Sequence, residues 1–237
     1  MMCPFCGNPA PPGKDACPCL SGSHRHMSAR RARTDQRPRM SRARKADHKT
    51  VIAAAQSVFW QHGYHGTSTR KIKQSTGLTR FTLQTAYGGK EAFFLQTLDA
   101  YLDRAENGVF PNPDGTDLDG LARWVEGRLD PETMPVKAAK GCLLLNSITE
   151  FDRDGGEIDD RIARYFDGLQ TRLAQILAQA VAAGEAGPDL DPEEKSRLLV
   201  SLLMGLAVTI KARLNDDFAA PYTAAAAAMI RHWRVLA

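Results

Sequence analysis

The side chains best suited to contact with a nucleic acid lie in one short stretch. Arg80 can pair with guanine or with a phosphate, and Gln84 can form paired hydrogen bonds with adenine. Phe81 is apolar and can pack on a thymine methyl group. Thr79 and Thr85 add hydroxyl groups beside them. These residue types predict a surface that reads base pairs, provided that a helix holds them on its outer face.

The residues around this stretch predict a helix-turn-helix. Ser68 is a suitable N-cap for a helix over Thr69–Thr76, because its hydroxyl can accept a backbone N–H of the first turn. Gly77 can supply the positive φ that ends this helix, and Thr79 can cap the next one. In such a unit the second helix lies in the DNA major groove. Double-stranded DNA is therefore the predicted partner.

Apolar residues at helical spacing predict the rest of a compact DNA-binding domain over residues 41–92. The helix before the turn is expected from Ser41 to about residue 62, ending at Gly63, and its apolar face comprises Val51, Ile52, Ala55, Val58 and Phe59. The later elements contribute Ile72, Leu78, Leu83 and Phe93, which are predicted to be core residues and not contacts with DNA.

A longer pattern extends across this unit. It comprises residues 53–63, then Tyr64, Thr67, Arg70, Ile72, Gly77-Leu78, Thr82-Leu83, Tyr87 and Lys90-Glu91. This pattern resembles the N-terminal domain of the tetracycline-repressor (TetR) family. The resemblance implies an all-α homodimer whose C-terminal domain binds a small effector. It also implies a transcriptional repressor that a small molecule releases from a palindromic operator.

Three positions depart from the family pattern where bases are read. Phe81 stands where glycine is usual, and Gln84 stands where tyrosine is usual. Ala86 replaces another common aromatic residue, whereas Tyr87 keeps the aromatic residue that follows. The loss of the usual tyrosine removes one expected phosphate contact and leaves Gln84 on the groove side.

A second group of residues is expected to position the unit on phosphates without reading sequence. It comprises Ser68, Thr69, Arg70, Tyr87 and Lys90. Lys90 also stands at the predicted start of a helix, where free backbone N–H groups favour an anion.

The charge distribution supports a nucleic-acid module joined to a different kind of domain. The chain has 237 residues and a net charge of +4, but residues 1–96 contain 16 Lys and Arg against 4 Asp and Glu. Residues 97–237 contain 15 against 23. A basic first part followed by an acidic second part is typical of a DNA-binding domain fused to a domain that does not bind DNA.

Residues 1–40 are predicted to be a basic extension with too little apolar content to fold alone. Its basic residues either contact phosphates or the minor groove as an arm, or form a solvated linker. Cys3, Cys6, Cys17 and Cys19 could bind zinc, because the first pair has the spacing of a zinc knuckle. The second pair has one intervening residue where zinc ribbons have two, so His24 or His26 could replace a ligand. The alternative is a leader without a metal site.

Residues 93–237 are predicted to form a helical domain for effector binding and dimerisation. Helices are expected over 92–107, 118–129, 141–151, 157–183, 192 to about 214, and 218–236. The apolar surface on the helix after residue 192 is wider than one core needs, and the resemblance implies that a two-fold four-helix interface buries it. The predicted effector pocket is lined by Trp124, Cys142, Asn146, Phe166 and Met204.

Other functions remain open at this point. The chain shows no nucleophile with a matching base and no phosphate-binding glycine loop, so an enzyme is not expected. No apolar run approaches the roughly 20 residues of a membrane span, and a cytoplasmic protein is expected. One alternative is a zinc- or thiol-responsive regulator switched through the N-terminal cysteines. Another is a helical ligand-binding protein that does not bind DNA.

Overall fold

The computed structural model describes residues 47–129, 140–152, 154–212 and 216–235, and the regular structure in these ranges is helical. The helices are α1 His48–His62, α2 Thr69–Thr76, α3 Arg80–Tyr87, α4 Gly89–Gly108, α5 Leu118–Glu126, α6 Leu143–Ile148, α7 Glu157–Ala182, α8 Pro192–Lys211 and α9 Asp216–Arg231. A 3₁₀ turn, Gly127–Leu129, follows α5. The all-α prediction is confirmed.

Helix α2 and the end of α1 agree with their predicted bounds, whereas the start of α1 does not. Helix α2 covers the predicted residues, and its N-cap is Ser68. Helix α1 ends before Gly63, which has φ 72° and ψ 176°. This conformation is nearly restricted to glycine, so the chain can leave the helix sharply at this point. Helix α1 begins at His48, because the described residue Asp47, which was included in the predicted helix, has non-helical φ −52° and ψ 138° and is the N-cap. The predicted residues 41–46 lie outside the described ranges.

The C-terminal helices are shorter than predicted. Helix α6 begins two residues after Gly141, because that glycine has a left-handed φ of 67°. It ends where Thr149 and Glu150 donate to carbonyl groups three residues back. Helix α8 ends at Lys211 and not near residue 214. Helix α9 spans residues 216–231 and not 218–236, because His232 and Trp233 continue as a turn.

An aromatic cluster forms the core between α1 and α4. Phe59 on α1 and Phe93 and Phe94 on α4 are completely or almost completely buried. The Phe59 and Phe94 ring centroids are 5.0 Å apart, in an edge-to-face arrangement. Each such ring buries a large apolar area, and its removal typically costs about 3–5 kcal/mol. The cluster therefore holds α1 against α4.

A buried polar contact also joins α1 to α4. The Gln56 side-chain amide donates to the Thr97 carbonyl at 2.8 Å and accepts a hydrogen bond from Arg104 at 2.9 Å. The predicted domain boundary at residue 93 falls inside α4, and residues 45–237 form one compact unit. The division at residue 93 stays a prediction.

The remaining helices surround the C-terminal part of α4. Helix α7 packs along α8, and α5 packs against α9. Arg161 on α7 forms a two-pronged ion pair with Asp99 on α4, with distances of 2.7 and 2.9 Å. Arg231 on α9 binds Glu126 on α5 in the same manner at 2.8 and 3.1 Å. Among the described helices, none is long and apolar enough to cross a membrane.

Candidate functional site

The α2–turn–α3 unit is held by hydrogen bonds within a few residues of the turn. The Ser68 hydroxyl accepts the Lys71 backbone N–H at 3.3 Å, and the Thr79 hydroxyl accepts that of Thr82 at 3.0 Å. Gly77 has φ 75° and ψ −3°, the left-handed conformation that ends α2. These bonds satisfy donors at both helix starts, so the direction of α3 is set locally.

The two faces of α3 differ sharply. Leu83 is 3% exposed and packs in the core with Ile72, while Leu78 in the turn is half-buried. The opposite face carries the predicted base-reading residues, all of which are exposed: Thr79, Arg80, Phe81, Gln84 and Thr85. The structure therefore brings all five to one end of the helix-turn-helix, as a continuous solvent-facing surface.

Phe81 is the most exposed large apolar residue given by the structure, at 77%. Its backbone carbonyl accepts a hydrogen bond from the Thr85 hydroxyl at 2.9 Å, which keeps the first turn of α3 regular. Among the described residues, no hydrogen bond or ion pair holds the neighbouring Arg80 side chain. A flat apolar ring and an adjacent guanidinium are thus both available to a partner.

Gln84 lies beside the start of α4. Gly89 is buried with φ 95°, and a Cβ atom at this position would be 3.1 Å from the Gln84 side-chain oxygen. The glycine therefore allows the amide to lie against the backbone where α4 begins. The amide is exposed but directed toward α4, so a contact between Gln84 and a base requires another rotamer.

The predicted phosphate contacts are in two different environments. Ser68, Thr69 and Arg70 are exposed around the start of α2. Tyr87 is half-buried, stacked on His48 with ring centroids 5.6 Å apart. In the sequence, the first group precedes the exposed residues of α3, and Tyr87 follows them at the end of that helix.

Lys90 stands at the start of α4, as predicted, and its contact with a phosphate stays a prediction. Its ammonium lies 4.1 Å from the centroid of the Tyr64 ring, so the side chain turns toward the α1–α2 loop. Burial lowers the pKa of Lys90, and the nearby Glu150 carboxylate opposes that shift. At the start of α4, Gly88 provides no side-chain cap, so the backbone N–H groups of this turn remain the available anion donors.

Two residues after α6 contact the loop between α1 and α2. Glu150 accepts the His65 backbone N–H at 3.1 Å, and the Glu150 carbonyl lies 3.0 Å from His65 Nε2. The Phe151 ring packs against Tyr64 at 5.1 Å and Phe94 at 5.8 Å. Sequence reasoning missed this contact, because the partners are far apart in the chain and their types carry no motif.

A cavity with about 560 Å³ of empty space, partly open to solvent, lies among the C-terminal helices. It is bounded by residues of α4, α5, α7 and α8 and by the segment before α6. The lining includes Tyr101, Phe110, Trp124, Arg128, Cys142, Tyr165, Leu203, Leu206, Ala207 and Ile210. The described lining is mainly apolar with few polar groups, which is the character of pockets that bind small molecules.

Two of the five predicted pocket residues line this cavity, namely Trp124 and Cys142. Asn146 is buried elsewhere, where its amide donates to the Lys140 carbonyl at 3.1 Å. Phe166 packs edge-on against Tyr165 and lies outside the lining. Met204 also lies outside it, because the cavity-facing residues of α8 are 203, 206, 207 and 210 and position 204 is about 100° around the helix from 203.

The polar groups of the cavity are few. The Tyr101 hydroxyl donates to the Cys142 thiol at 3.6 Å. Burial raises the pKa of both Tyr101 and Tyr165 well above the ordinary value, so both remain neutral phenols. Among the described residues of the lining, Arg128 is the charged group, and sequence reasoning missed it. Only its position in the turn after Trp124 could have suggested it, because a single arginine carries no motif.

The predicted zinc site cannot be placed. Cys3, Cys6, Cys17 and Cys19 lie outside the described residues, as do residues 1–40 as a whole. Within the described ranges, no group of His, Cys, Asp and Glu has an arrangement that could hold a metal ion. Zinc binding and switching through these cysteines stay predictions.

Two family models match the chain. Residues 51–97 match the bacterial regulatory proteins of the tetR family, and residues 119–231 match the tetracyclin repressor-like C-terminal domain. The first match contains most of α1, all of α2 and α3, and the start of α4. The second contains nearly all of α5 and all of the helices that follow it.

Individual proteins agree with these matches. The HTH-type transcriptional repressor ComR of Escherichia coli K12 is 27% identical over 169 residues, which cover 70% of this chain and 80% of ComR. A TetR family transcriptional regulator from Cytophaga hutchinsonii has the same fold, with a TM-score of 0.71 and 18% identity, covering 80% of this chain and 95% of that chain. A cysteine mutant of the TetR family regulator CifR was solved with 26-bp double-strand operator DNA. It matches with a TM-score of 0.65 and 21% identity, covering 80% of this chain and 97% of that chain. These relatives are transcriptional regulators and not enzymes, as expected for this chain.

Proposed function

The chain belongs to the TetR family of transcriptional regulators, and we propose that it is a homodimeric repressor that a small molecule releases from a palindromic operator. Repression is the role named for ComR, and operator binding is the state in which the CifR mutant was solved. The observation that carries the proposal is the outer face of α3, where Arg80 and a 77% exposed Phe81 project away from the core.

Exposure on this scale is unusual for phenylalanine in a structural helix. A large apolar side chain that remains in water contributes nothing to folding, whereas burial on DNA would give it a favourable environment. The major groove accommodates an α-helix and offers thymine methyl groups to an apolar ring. Arg80 next to it can bind guanine or the phosphate backbone. The pair therefore suits recognition of a base sequence better than it suits the isolated protein.

The α8 and α9 helices support dimerisation. On α8, Leu198 is 40% and Val208 is 57% exposed, although both are apolar residues of a long helix. On α9, Ala224, Ala225 and Ala228 are exposed on one face, where their small side chains allow a second helix to approach. A two-fold axis at these helices would cover the exposed face and place two α3 helices for two half-sites.

Two elements connect the cavity with the helix-turn-helix. Helix α4 begins beside the outer face of α3 and carries Tyr101 of the cavity lining. Helix α6 follows directly after Cys142 of the lining, and Glu150 and Phe151 beyond its other end contact the α1–α2 loop. A ligand that binds one arrangement of these elements more tightly would shift the population of DNA-binding conformers.

Footprinting and fluorescence anisotropy on DNA from upstream of the chain's own coding sequence test the proposal. We expect a protected palindrome and an affinity that falls as salt rises. The Arg80→Ala/Phe81→Ala double variant should lose specific binding by roughly 100-fold or more, since each base contact is worth about 1–3 kcal/mol. The matched control is Arg123→Ala, which removes an exposed arginine from α5.

Three results would contradict parts of the proposal. Equal binding by the double variant and the control would remove α3 as the reading helix. The absence of salt-dependent DNA binding would favour the helical ligand-binding alternative. A monomer in sedimentation equilibrium of the full chain would contradict the proposed homodimer.

A further inference from the structure

Arg128 occupies an unusual position for a charged side chain. It lies in the 3₁₀ turn after α5, and its guanidinium is 4.2 Å from the centroid of the Trp124 ring. Nε donates to the Trp124 carbonyl at 3.0 Å, and Nη1 donates to the Val109 carbonyl at 3.1 Å. These contacts hold the plane of the guanidinium at the wall of the cavity.

No carboxylate balances this charge within the described part of the chain. Other arginines have close acidic partners there, such as Arg164 with Glu106 at 2.7 Å and Arg234 with Glu185 at 2.5 Å. Arg128 has backbone carbonyls alone, and its Nη2 donates to no described group. Burial lowers the pKa of Arg128 to about 10, which leaves the group protonated at neutral pH.

The surroundings of Arg128 do not solvate a cation well. Among the described residues that line the cavity, none is acidic, and the opposite wall consists of Leu203, Leu206 and Ile210 on α8. A buried charge without a counter-ion is unfavourable. The remaining donors of Arg128 therefore offer a strong site for an anion from outside the chain.

We propose that the cavity binds a small organic acid, with one carboxylate on Arg128 and an apolar or aromatic body against Trp124, Phe110 and the α8 wall. The guanidinium fork matches the two oxygens of a carboxylate. A second negative group would have no cation within the described lining, so a monoanion fits best. The proposal depends on the proposed function only for the effect of the acid on DNA binding.

Isothermal titration calorimetry of the full chain without DNA tests the binding step. The probes are phenylacetate, 4-phenylbutyrate and octanoate, each compared with its neutral amide. We expect at least one acid to bind wild-type protein on the order of 10–100-fold more tightly than its amide, because only the acid forms charge-assisted hydrogen bonds. Equal affinity of acids and amides, or binding of neither, overturns the proposal.

Three variants separate charge from structure. Arg128→Met keeps an unbranched apolar stem on Trp124 and should remove the preference for the acid over its amide. Arg128→Lys keeps the charge without the fork and should retain a part of the preference. Arg123→Met, an exposed arginine on α5, should leave the preference unchanged. A preference that survives in Arg128→Met assigns the anion to another group and overturns the inference.

The unliganded melting temperature shows whether Arg128 is instead a structural residue. We expect Arg128→Met to melt no lower than wild type, since it removes a half-buried charge that has no counter-ion among the described residues. Clear destabilisation would indicate that the guanidinium is retained for its backbone contacts and would count against the inference.

Anisotropy with operator DNA separates this inference from the proposed function. If phenylacetate or another probe binds Arg128 but leaves DNA affinity unchanged, the acid site stands and release by that ligand fails. If the protein binds DNA but no acid is preferred over its amide, the acid site fails and the repressor proposal stands.

Discussion

The outer face of α3 and the wall of the cavity each carry an arginine beside an aromatic ring, but the two environments are opposite. On α3, Arg80 is exposed to solvent, as charged side chains usually are. The unusual residue there is Phe81, an apolar ring that is 77% exposed. In the cavity Trp124 is among apolar neighbours, and Arg128 is the unusual residue, because it is half-buried with no carboxylate partner among the described residues. In both regions the candidate site contains a residue whose polarity differs from that of its surroundings.

The comparison implies that residues for folding and residues for binding alternate within one short helix. Leu83 and Phe81 are two positions apart on α3, yet one is 3% and the other 77% exposed. The cavity also combines the two kinds of residue: leucines of α8 form its apolar wall, and Arg128 provides a charge for binding. Substitutions that split stability from binding can therefore break or sharpen the comparison.

The largest expected effect on stability is at Leu83. We expect Leu83→Ala to lower the free energy of unfolding by about 2–5 kcal/mol, because it leaves a void in the core. Phe81→Ala should change it by only about 0.5 kcal/mol or less, since the ring is in solvent. Urea unfolding followed by circular dichroism measures both. If Phe81→Ala destabilised the protein as much as Leu83→Ala, the ring would have a folding role and the contrast between the two faces would fail.

The next effect is at Gly63, where the α1–α2 loop meets Glu150. Gly63→Ala should lower the free energy of unfolding by about 1–3 kcal/mol, because its φ of 72° with ψ of 176° strains any residue with a Cβ atom. The new Cβ would also clash with both carboxylate oxygens of Glu150 and would displace Oε2 from the His65 N–H.

Gly115→Ala is the matched control for Gly63→Ala. Its φ is 74°, but the space around its Cβ position is open. Thermal unfolding of both variants should show the smaller loss for Gly115→Ala. Equal losses would mean that the contact between the loop and Glu150 adds nothing to stability, and would weaken α6 as a connection between the two regions.

The smallest effect concerns the hydrogen bond that starts α3. Thr79→Ala should cost about 1 kcal/mol, because it leaves the Thr82 N–H without its side-chain acceptor. Thr85→Ala is the comparison, since its hydroxyl donates only to a carbonyl in the preceding turn. Chemical unfolding should show a loss for Thr79→Ala that exceeds that for Thr85→Ala. The reverse order would contradict the assignment of Thr79 as the cap.

Site residues that are positioned by interactions within a few residues could be predicted from the sequence, whereas those positioned by distant parts of the chain could not. Ser68 and Thr79 cap donors three residues away, so the bounds of α2 and the start of α3 could be predicted from sequence. Lys90 could not be placed in that way. Its position depends on Tyr64 and Glu150, which come from two other parts of the chain.

The cavity shows the same limit more strongly. Trp124 and Cys142 were predicted because apolar and polarizable residues on middle helices are common in pockets. Asn146 and Met204 were predicted on the same ground, but the rotation of their elements turns them away from the cavity. A helix that rotates by one residue exchanges a lining side chain for its neighbour, so residue type alone does not decide membership.

The sequence by itself determined the helix-turn-helix, because caps, glycines and apolar periodicity act over three or four residues. Its resemblance to the TetR family indicated the family and the all-α architecture. Tertiary structure alone decided that Arg128 lies at a cavity whose described lining contains no carboxylate. It also decided that Glu150 and Phe151 contact the DNA-binding unit. The physical reason is that both arrangements depend on side chains from separate helices, whose relative rotation and packing no local pattern specifies.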